Sequence, residues 1–238
     1  MSVRQHRDVA VSGTEPATNA PKHLSREDVI ATAARLARKE GMQRLRIRDI
    51  CQELGCTPPT VYWHVRNKHD LMLELLDTIL RRVHLPAEDA GGWRERSLAF
   101  FASFYDEVIP YPGLGDVMAR ELPTPAGIRM SVYTFGLLLE AGLTEADAVE
   151  ANATLVVFTM GQFLYGDAFL ASRPERGSGL RRSLAAVARE RAQALDGTDL
   201  DHFRRITAGL DPDAVRERYL RGIDRLLSSF AGEAPAPD

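Results

Sequence analysis

With 238 residues the chain is too long for one small motif and long enough for two packed units. Its 30 Lys plus Arg stand against 33 Asp plus Glu, a formal net charge of −3, which argues against a protein that coats nucleic acid indiscriminately. No apolar run approaches the ~20 residues that a bilayer span needs, and the polar N-terminus has no apolar signal core, so a soluble, cytoplasmic protein with no membrane partner is expected.

The charge is unevenly placed. Residues 22–84 hold 12 Lys plus Arg against 8 Asp plus Glu (+4), whereas residues 85–238 hold 16 against 23 (−7). A small basic head on an acidic body turns a phosphate-seeking surface toward one end. All three lysines, Lys22, Lys39 and Lys68, belong to the head. The two cysteines, Cys51 and Cys56, also lie there, and without a paired framework they read as small core hydrophobes rather than a disulfide.

Residues 1–21 are rich in Ser, Thr, Pro and Ala without apolar periodicity and are expected to be disordered. They are an inert tail or, through Arg4, His6 and Arg7, an arm for a minor groove. Ser25 followed by Asp28 resembles a capping box, and Val29, Ala33, Leu36 and Ala37 recur at helical spacing until Gly41 stops them. After Met42–Leu45, the residues Ile47, Ile50, Cys51 and Leu54 form a second stripe, which Gly55 ends in the tight turn of a helix-turn-helix. Thr57 is placed to cap the next helix through its hydroxyl, and Pro58 suits a first position that needs no amide hydrogen. In that short helix Val61 and Val65 face inward, leaving Pro58, Pro59, Thr60, Tyr62 and His64 outward. Hydroxyls, an imidazole and apolar ring edges suit phosphates, base edges and thymine methyls. Tyr62 and Trp63 cannot both face a two-valine inner side, so at least one points toward a DNA groove. A fourth helix from about Lys68 carries Leu71, Leu75, Leu76, Ile79 and Val83 and joins the head to the body.

The segment from Ile47 to Lys68, with Glu53-Leu54-Gly55 before Thr60-Val61-Tyr62-Trp63-His64-Val65, resembles the tetracycline-repressor (TetR) family of transcription regulators. The likeness is close over residues 24–84; beyond them it rests on length, spacing and apolar pattern. It implies that Arg48 reaches a base edge, that Thr60, Tyr62 and Lys68 hold phosphates, and that Pro58, Pro59, Trp63 and His64 line the base side. Arg46 stands where many relatives carry a capping Ser or Thr, and can contact phosphate at the cost of a weaker cap.

The body reads as helical throughout. Helices are expected over Trp93–Ile109, Gly115–Leu122 and Pro125–Ala141, then from a Thr144 cap through Phe169, where an unusually apolar surface asks for more than one packing partner. Residues 173–198 look partly like loop, with a helix over Leu180–Leu195, and Asp211-Pro212 opens a final helix striped by Val215, Tyr219, Ile223, Leu226, Leu227 and Phe230. The long and final helices are expected to form a four-helix bundle across a two-fold axis, giving a homodimer. The fold class is therefore all-α. An N-terminal helix-turn-helix three-helix head (22–84) precedes a C-terminal helical ligand-binding and dimerisation domain (85–231), and residues 232–238 form a frayed tail.

Aromatic and soft residues recur in the body, and His84, Phe100, Phe104, Met118, Tyr133, Phe158, Gln162 and Tyr165 are the expected pocket for a small, flat, mostly apolar effector. The same residue types at helical spacing also serve as plain core. By spacing, resemblance to the family's tetracycline-binding members puts His84 at a drug-contacting histidine and Phe104 at a pocket phenylalanine. The magnesium-chelating histidine and glutamate of those members fall near Met118 and Tyr165, neither a hard-cation ligand, so neither a metal nor a cofactor is expected. The expected function is a ligand-responsive repressor of a palindromic double-stranded DNA operator; an activator of the same fold is the alternative. A helical enzyme with an accessory DNA-binding head, using His84 or His202 as base, has no nucleophile constellation, metal spacing or phosphate loop behind it.

Overall fold

The computed structural model describes residues 24–121, 123–166, 190, 192, 197–208 and 214–231, with helices and connections but no strand among them. The head opens with α1 (Arg26–Glu40), started by a full capping box: the Asp28 amide donates to Ser25 Oγ at 3.1 Å and the Ser25 amide to Asp28 Oδ2 at 2.9 Å. Helix α2 (Ile47–Leu54) follows. Arg46 at its N-cap offers no side-chain cap, as its residue type requires. Gly55 closes α2 in the left-handed conformation at φ 63°, which a Cβ would penalise. Helix α3 (Pro58–His64) and helix α4 (Lys68–Leu80) complete the head, with Asn67 Oδ1 capping α4 by accepting the Asp70 amide at 2.9 Å. Val29, Ala33, Ile50, Val61, Leu71 and Leu75, none with exposed surface, form the core of the head.

The body contains α5 (Trp93–Val108), α6 (Leu114–Glu121), α7 (Pro125–Glu140), α8 (Glu145–Gly161), α9 (Gly197–Ala208) and α10 (Val215–Ala231). Helix α4 packs on α1 of the head and on α5, α6 and α7 of the body, while α10 lies against α5 and α8. The close α8–α10 approach is made by glycine: a Cβ on Gly222 would stand 2.3 Å from Phe158 Cζ.

Several expectations need correction. The Thr57 hydroxyl does not cap α3; it meets the Thr60 hydroxyl at 3.2 Å. Pro58 and Pro59 carry no amide hydrogen, and the Thr60 amide donates to the Thr57 carbonyl instead, so the cap has nothing to accept. The regular α8 stops at Gly161 and continues as a π-helical turn, Gln162–Gly166. The final helix starts at Val215, three residues beyond Pro212. Helix α9 was not foreseen; only Leu200, Phe203 and Ile206 are large and apolar in its twelve residues. The N-terminal extension 1–21, the tail 232–238, the end of the long helix at Phe169 and almost all of the Leu180–Leu195 expectation lie outside the described residues.

Candidate nucleic-acid interface and effector site

Helix α3 is held by two buried valines, Val61 (0% exposed) and Val65 (2%). With that face fixed, Pro58, Pro59, Thr60 and Tyr62 stand outside, His64 is half-buried, and Trp63 is 87% exposed. Leaving a tryptophan in water forgoes about 1.5–3 kcal/mol of burial, so this position stabilises nothing in the isolated fold. Arg46 and Arg48 are exposed near the start of α2, Arg48 only loosely paired to Asp49 at 3.5 Å, and Lys68 is exposed at the first turn of α4. The sequence-derived interface residues are thus exposed on α2, α3 and the start of α4, apart from half-buried His64. Across its back an ion pair, Arg35 Nη1 to Glu53 Oε2 at 2.7 Å, ties α1 to α2, and the Arg35 guanidinium holds the Glu53 carboxyl below its ordinary value.

In the body, Phe100, Phe104 and Met118 are buried, and Phe158, Tyr133 and Gln162 half-buried. The rings pack on one another: Phe100 on Tyr133 at 5.6 Å between centroids, and Phe104 edge-on to Phe163 at 5.6 Å. Tyr219 of α10 is inserted between Tyr105 (5.4 Å) and Phe158 (6.0 Å, 7° between planes). Its hydroxyl meets Thr159 Oγ1 at 3.2 Å, and burial pushes the Tyr219 phenol well above its usual value. The Tyr133 hydroxyl donates to the Pro86 carbonyl at 2.7 Å. His84 stands apart: it is exposed, and its amide donates to Ser103 Oγ at 2.8 Å. The Tyr165 side chain lies outside the described residues. In this conformation the described rings of the expected pocket pack against one another. A cleft of about 350 Å³ lies elsewhere, between head and body, lined by Met42, Lys68, His69, Met72 and Arg120 among others.

Residues 29–75 match the profile of bacterial regulatory proteins of the tetR family, and residues 85–228 match the tetracyclin repressor-like C-terminal domain. The chain belongs to the TetR family. The class C tetracycline repressor of Escherichia coli is 29% identical over 199 residues, which is 83% of this chain and 87% of that protein. ActR of Streptomyces coelicolor, solved in complex with actinorhodin, matches with a TM-score of 0.69 at 22% identity, over 90% of this chain and 99% of its own. BioQ on its natural double-stranded operator matches with a TM-score of 0.53 at 23% identity, over 60% of this chain and 93% of its own. At such identities the two solved structures speak for the fold, a helix-turn-helix head followed by a helical domain. This TetR-family chain is a DNA-binding transcription regulator and not an enzyme.

Three residues of this TetR regulator escaped sequence reasoning. Asp77 is a buried carboxylate on α4 whose Oδ1 accepts the Ala126 amide at the start of α7, 2.8 Å away. Arg96 is 5% exposed on α5 and pairs with Glu140, while its Nε has no acceptor among the described residues. Tyr219 reads as one more stripe residue of the last helix, although it is the ring that fills the centre of the cluster. A charged residue within an apolar helical pattern was the available signal for Asp77. Nothing local marks the other two.

Proposed function

We propose that this chain is a repressor that holds a palindromic operator as a homodimer and releases it when a small, flat, mostly apolar molecule enters the body. The observation that carries the reading is Trp63, 87% exposed beside Tyr62 at 47%, on a helix whose other face is locked by Val61 and Val65. A rigid aromatic edge kept in water is a surface waiting for a partner. On this reading the head spans 22–84 and the body 85–231. Arg48 reads a base edge, Arg46, Thr60, Tyr62 and Lys68 hold phosphates, and Pro58, Pro59, Trp63 and His64 line the groove.

The dimer is supported by apolar surface on two helices. Ile128 (51%), Val132 (65%) and Leu139 (38%) are exposed on α7, and Val149 (58%), Val156 (40%) and Val157 (71%) on α8. In the stripe of the last helix, Tyr219, Ile223 and Leu227 are buried within their own chain, whereas Leu226 and Phe230 are only partly buried. A second copy covers α8 and the adjoining face of α7, with the last helix beside α8 completing a four-helix bundle across the two-fold axis. The effector site is the ring cluster of Phe100, Phe104, Tyr133 and Phe158 with Met118 and Gln162, and His84 and Tyr165 are assigned to it on the sequence pattern alone. A ligand displaces rings that now pack against one another, and the unpaired Nε of buried Arg96 on the same helix as Phe100 suits an acceptor oxygen on it. ActR in complex with actinorhodin, and a TetR variant of Acinetobacter baumannii in complex with minocycline, set the precedent for a small molecule bound on this fold.

Selection from a pool of random duplexes at defined salt tests the reading. Retention of one palindrome by a protein that sediments as a dimer is expected; retention without sequence preference overturns it.

A further inference from the structure

The last turn of α2 and the connection to α3 carry the two cysteines of the chain, Cys51 and Cys56. Gly55, left-handed, folds the backbone over the end of α2, and the Cys56 amide donates back to the Cys51 carbonyl at 3.0 Å. That bond closes a Schellman turn, a geometry that brings the side chains of its two outer residues together. Here those residues are Cys51 and Cys56, so the backbone bond sets their side chains next to each other. Cys51 is 5% exposed, whereas Cys56 is only partly buried. Burial and the neighbouring sulfur push the Cys51 thiol up. One thiol meets solvent and the other lies next to it, the pairing from which a sulfenic acid condenses with a thiol to a disulfide.

We infer that Cys51 and Cys56 are an oxidation site for hydroperoxides that switches the recognition helix. The Cys56 sulfur attacks the peroxide O–O bond, an alcohol (water, from hydrogen peroxide) departs, and Cys56 becomes a sulfenic acid. The Cys51 sulfur then attacks the Cys56 sulfur, the sulfenic oxygen leaves as water with the Cys51 proton, and the S–S bond forms. Two thiols lose two electrons and two protons; the hydroperoxide gains both and ends as alcohol and water. Sulfurs in a disulfide lie about 2 Å apart, against roughly 4 Å for atoms in ordinary contact. Cys56 is joined through Thr57 to Pro58 and Pro59, whose fixed backbones pass the shift into α3. A displacement on the order of 1 Å carries hydrogen bonds out of their ~2.7–3.2 Å range, so operator binding weakens. That last step rests on the proposed reading of α3 as the DNA-contacting helix.

The test uses the full-length protein, hydrogen peroxide as oxidant, and the duplex that the reduced protein retains from a random pool. Expected are the loss of two hydrogens from the Cys51–Cys56 peptide by mass, altered hydrogen exchange over residues 57–66, and affinity weaker by about tenfold or more, all reversed by a thiol reductant. C56S, at the partly exposed position, should keep both its mass and its affinity under peroxide; C51A should gain one oxygen and form no link. Thiols that stay free, that join different copies, or that pass to sulfinic acid overturn the proposal, as does a disulfide that leaves exchange and affinity unchanged. A reduced protein that retains no duplex overturns the DNA reading instead, and the peptide mass and the exchange still decide the thiol chemistry.

Discussion

Replacing Asp77 by Ala measures how firmly the helix leaving the head is fastened to the body. The carboxylate is 5% exposed; Oδ1 accepts the Ala126 amide at 2.8 Å, and Oδ2 accepts Arg81 Nε at 2.8 Å and Arg81 Nη2 beside it. Truncation strands the Ala126 amide in a buried position, a cost of about 1–3 kcal/mol. Arg81 is 66% exposed and rehydrates, so losing its pair adds at most about 1 kcal/mol. A total near 2–3 kcal/mol, at about 2–4 °C per kcal/mol for a chain of this size, lowers Tm by roughly 5–10 °C. Thermal unfolding followed by circular dichroism reads it directly, and Asp77→Asn, which keeps the acceptor without the charge, should lose about half as much. The pH dependence has a definite sign. Burial raises the Asp77 carboxyl, but the bonds from Ala126, Arg81 and Thr124 outweigh it and hold the group below its ordinary value. Its contribution is therefore full above the unfolded carboxylate value of about 3.9 and is lost as pH falls through the lower folded value, so the gap between parent and variant closes in acid. A variant melting within about 1 °C of the parent at neutral pH would mean that Ala126 finds another acceptor, and the joint would not be what it looks like.

Lys68→Ala should weaken binding to all duplexes alike and reduce the salt slope of log K by about 0.9; an unchanged slope removes Lys68 from the phosphate contacts. Arg48→Ala should cost about 1–3 kcal/mol on the selected operator and relax preference at one base position, whereas equal loss on every sequence makes it a phosphate contact. Trp63→Ala should leave the melting temperature unchanged, since the side chain is 87% exposed, and still weaken operator binding by about tenfold or more; full affinity would detach the carrying observation from DNA. Val157→Asp places a charge on the most exposed valine of α8 and should yield monomers by sedimentation, and a dimer of unchanged strength would move the interface elsewhere.

The head was legible because its signals are local. A capping box at Ser25, glycine stops at Gly41 and Gly55, a Pro58 start and two valines four apart fix each helix within a few residues of its cause. Even there, the Thr57 cap failed because two prolines removed the amides it would have served. The body was legible as helices but not as an arrangement. Asp77 and Ala126 are 49 residues apart and Thr159 and Tyr219 are 60 apart, so no periodicity within either helix announces their contact. The stripe of the last helix showed that it is amphipathic. It did not show whether the partner was its own chain or another, and Gly222, which admits Phe158 against the backbone, settles that choice for the buried face. The ring cluster shows the same ambiguity from the other side, since core and pocket draw on one alphabet of Phe, Tyr and Met.

How a ligand in that cluster would reach α3 is a matter of comparing bond strengths along α4. Toward α7 the helix is anchored by the buried Asp77–Ala126 bond. Toward α6 the ion pair is at the surface, His69 Nδ1 to Glu121 Oε1 at 3.2 Å with His69 61% exposed, and beside it Gln43 Nε2, in the connection between α1 and α2, donates to Asp116 Oδ2 at 2.6 Å. Such surface pairs are worth about 0–1 kcal/mol each, and an effector needs to bias two states by about 1–3 kcal/mol. On the proposed reading, a ligand that displaces Met118 shifts α6, and those two polar contacts can break within that energy while the buried Asp77–Ala126 bond holds. Helix α4 then pivots about Asp77, and its N-terminal end, carrying Lys68 next to α3, makes the larger excursion. Cutting the weak side, with Glu121→Gln and Asp116→Asn together, should therefore lower operator affinity by a few-fold without effector and reduce the further loss on adding it, whereas cutting Asp77 removes the pivot and uncouples the two ends. Opposite results for the two sites would place the pivot at α6 and make Asp77 the moving contact.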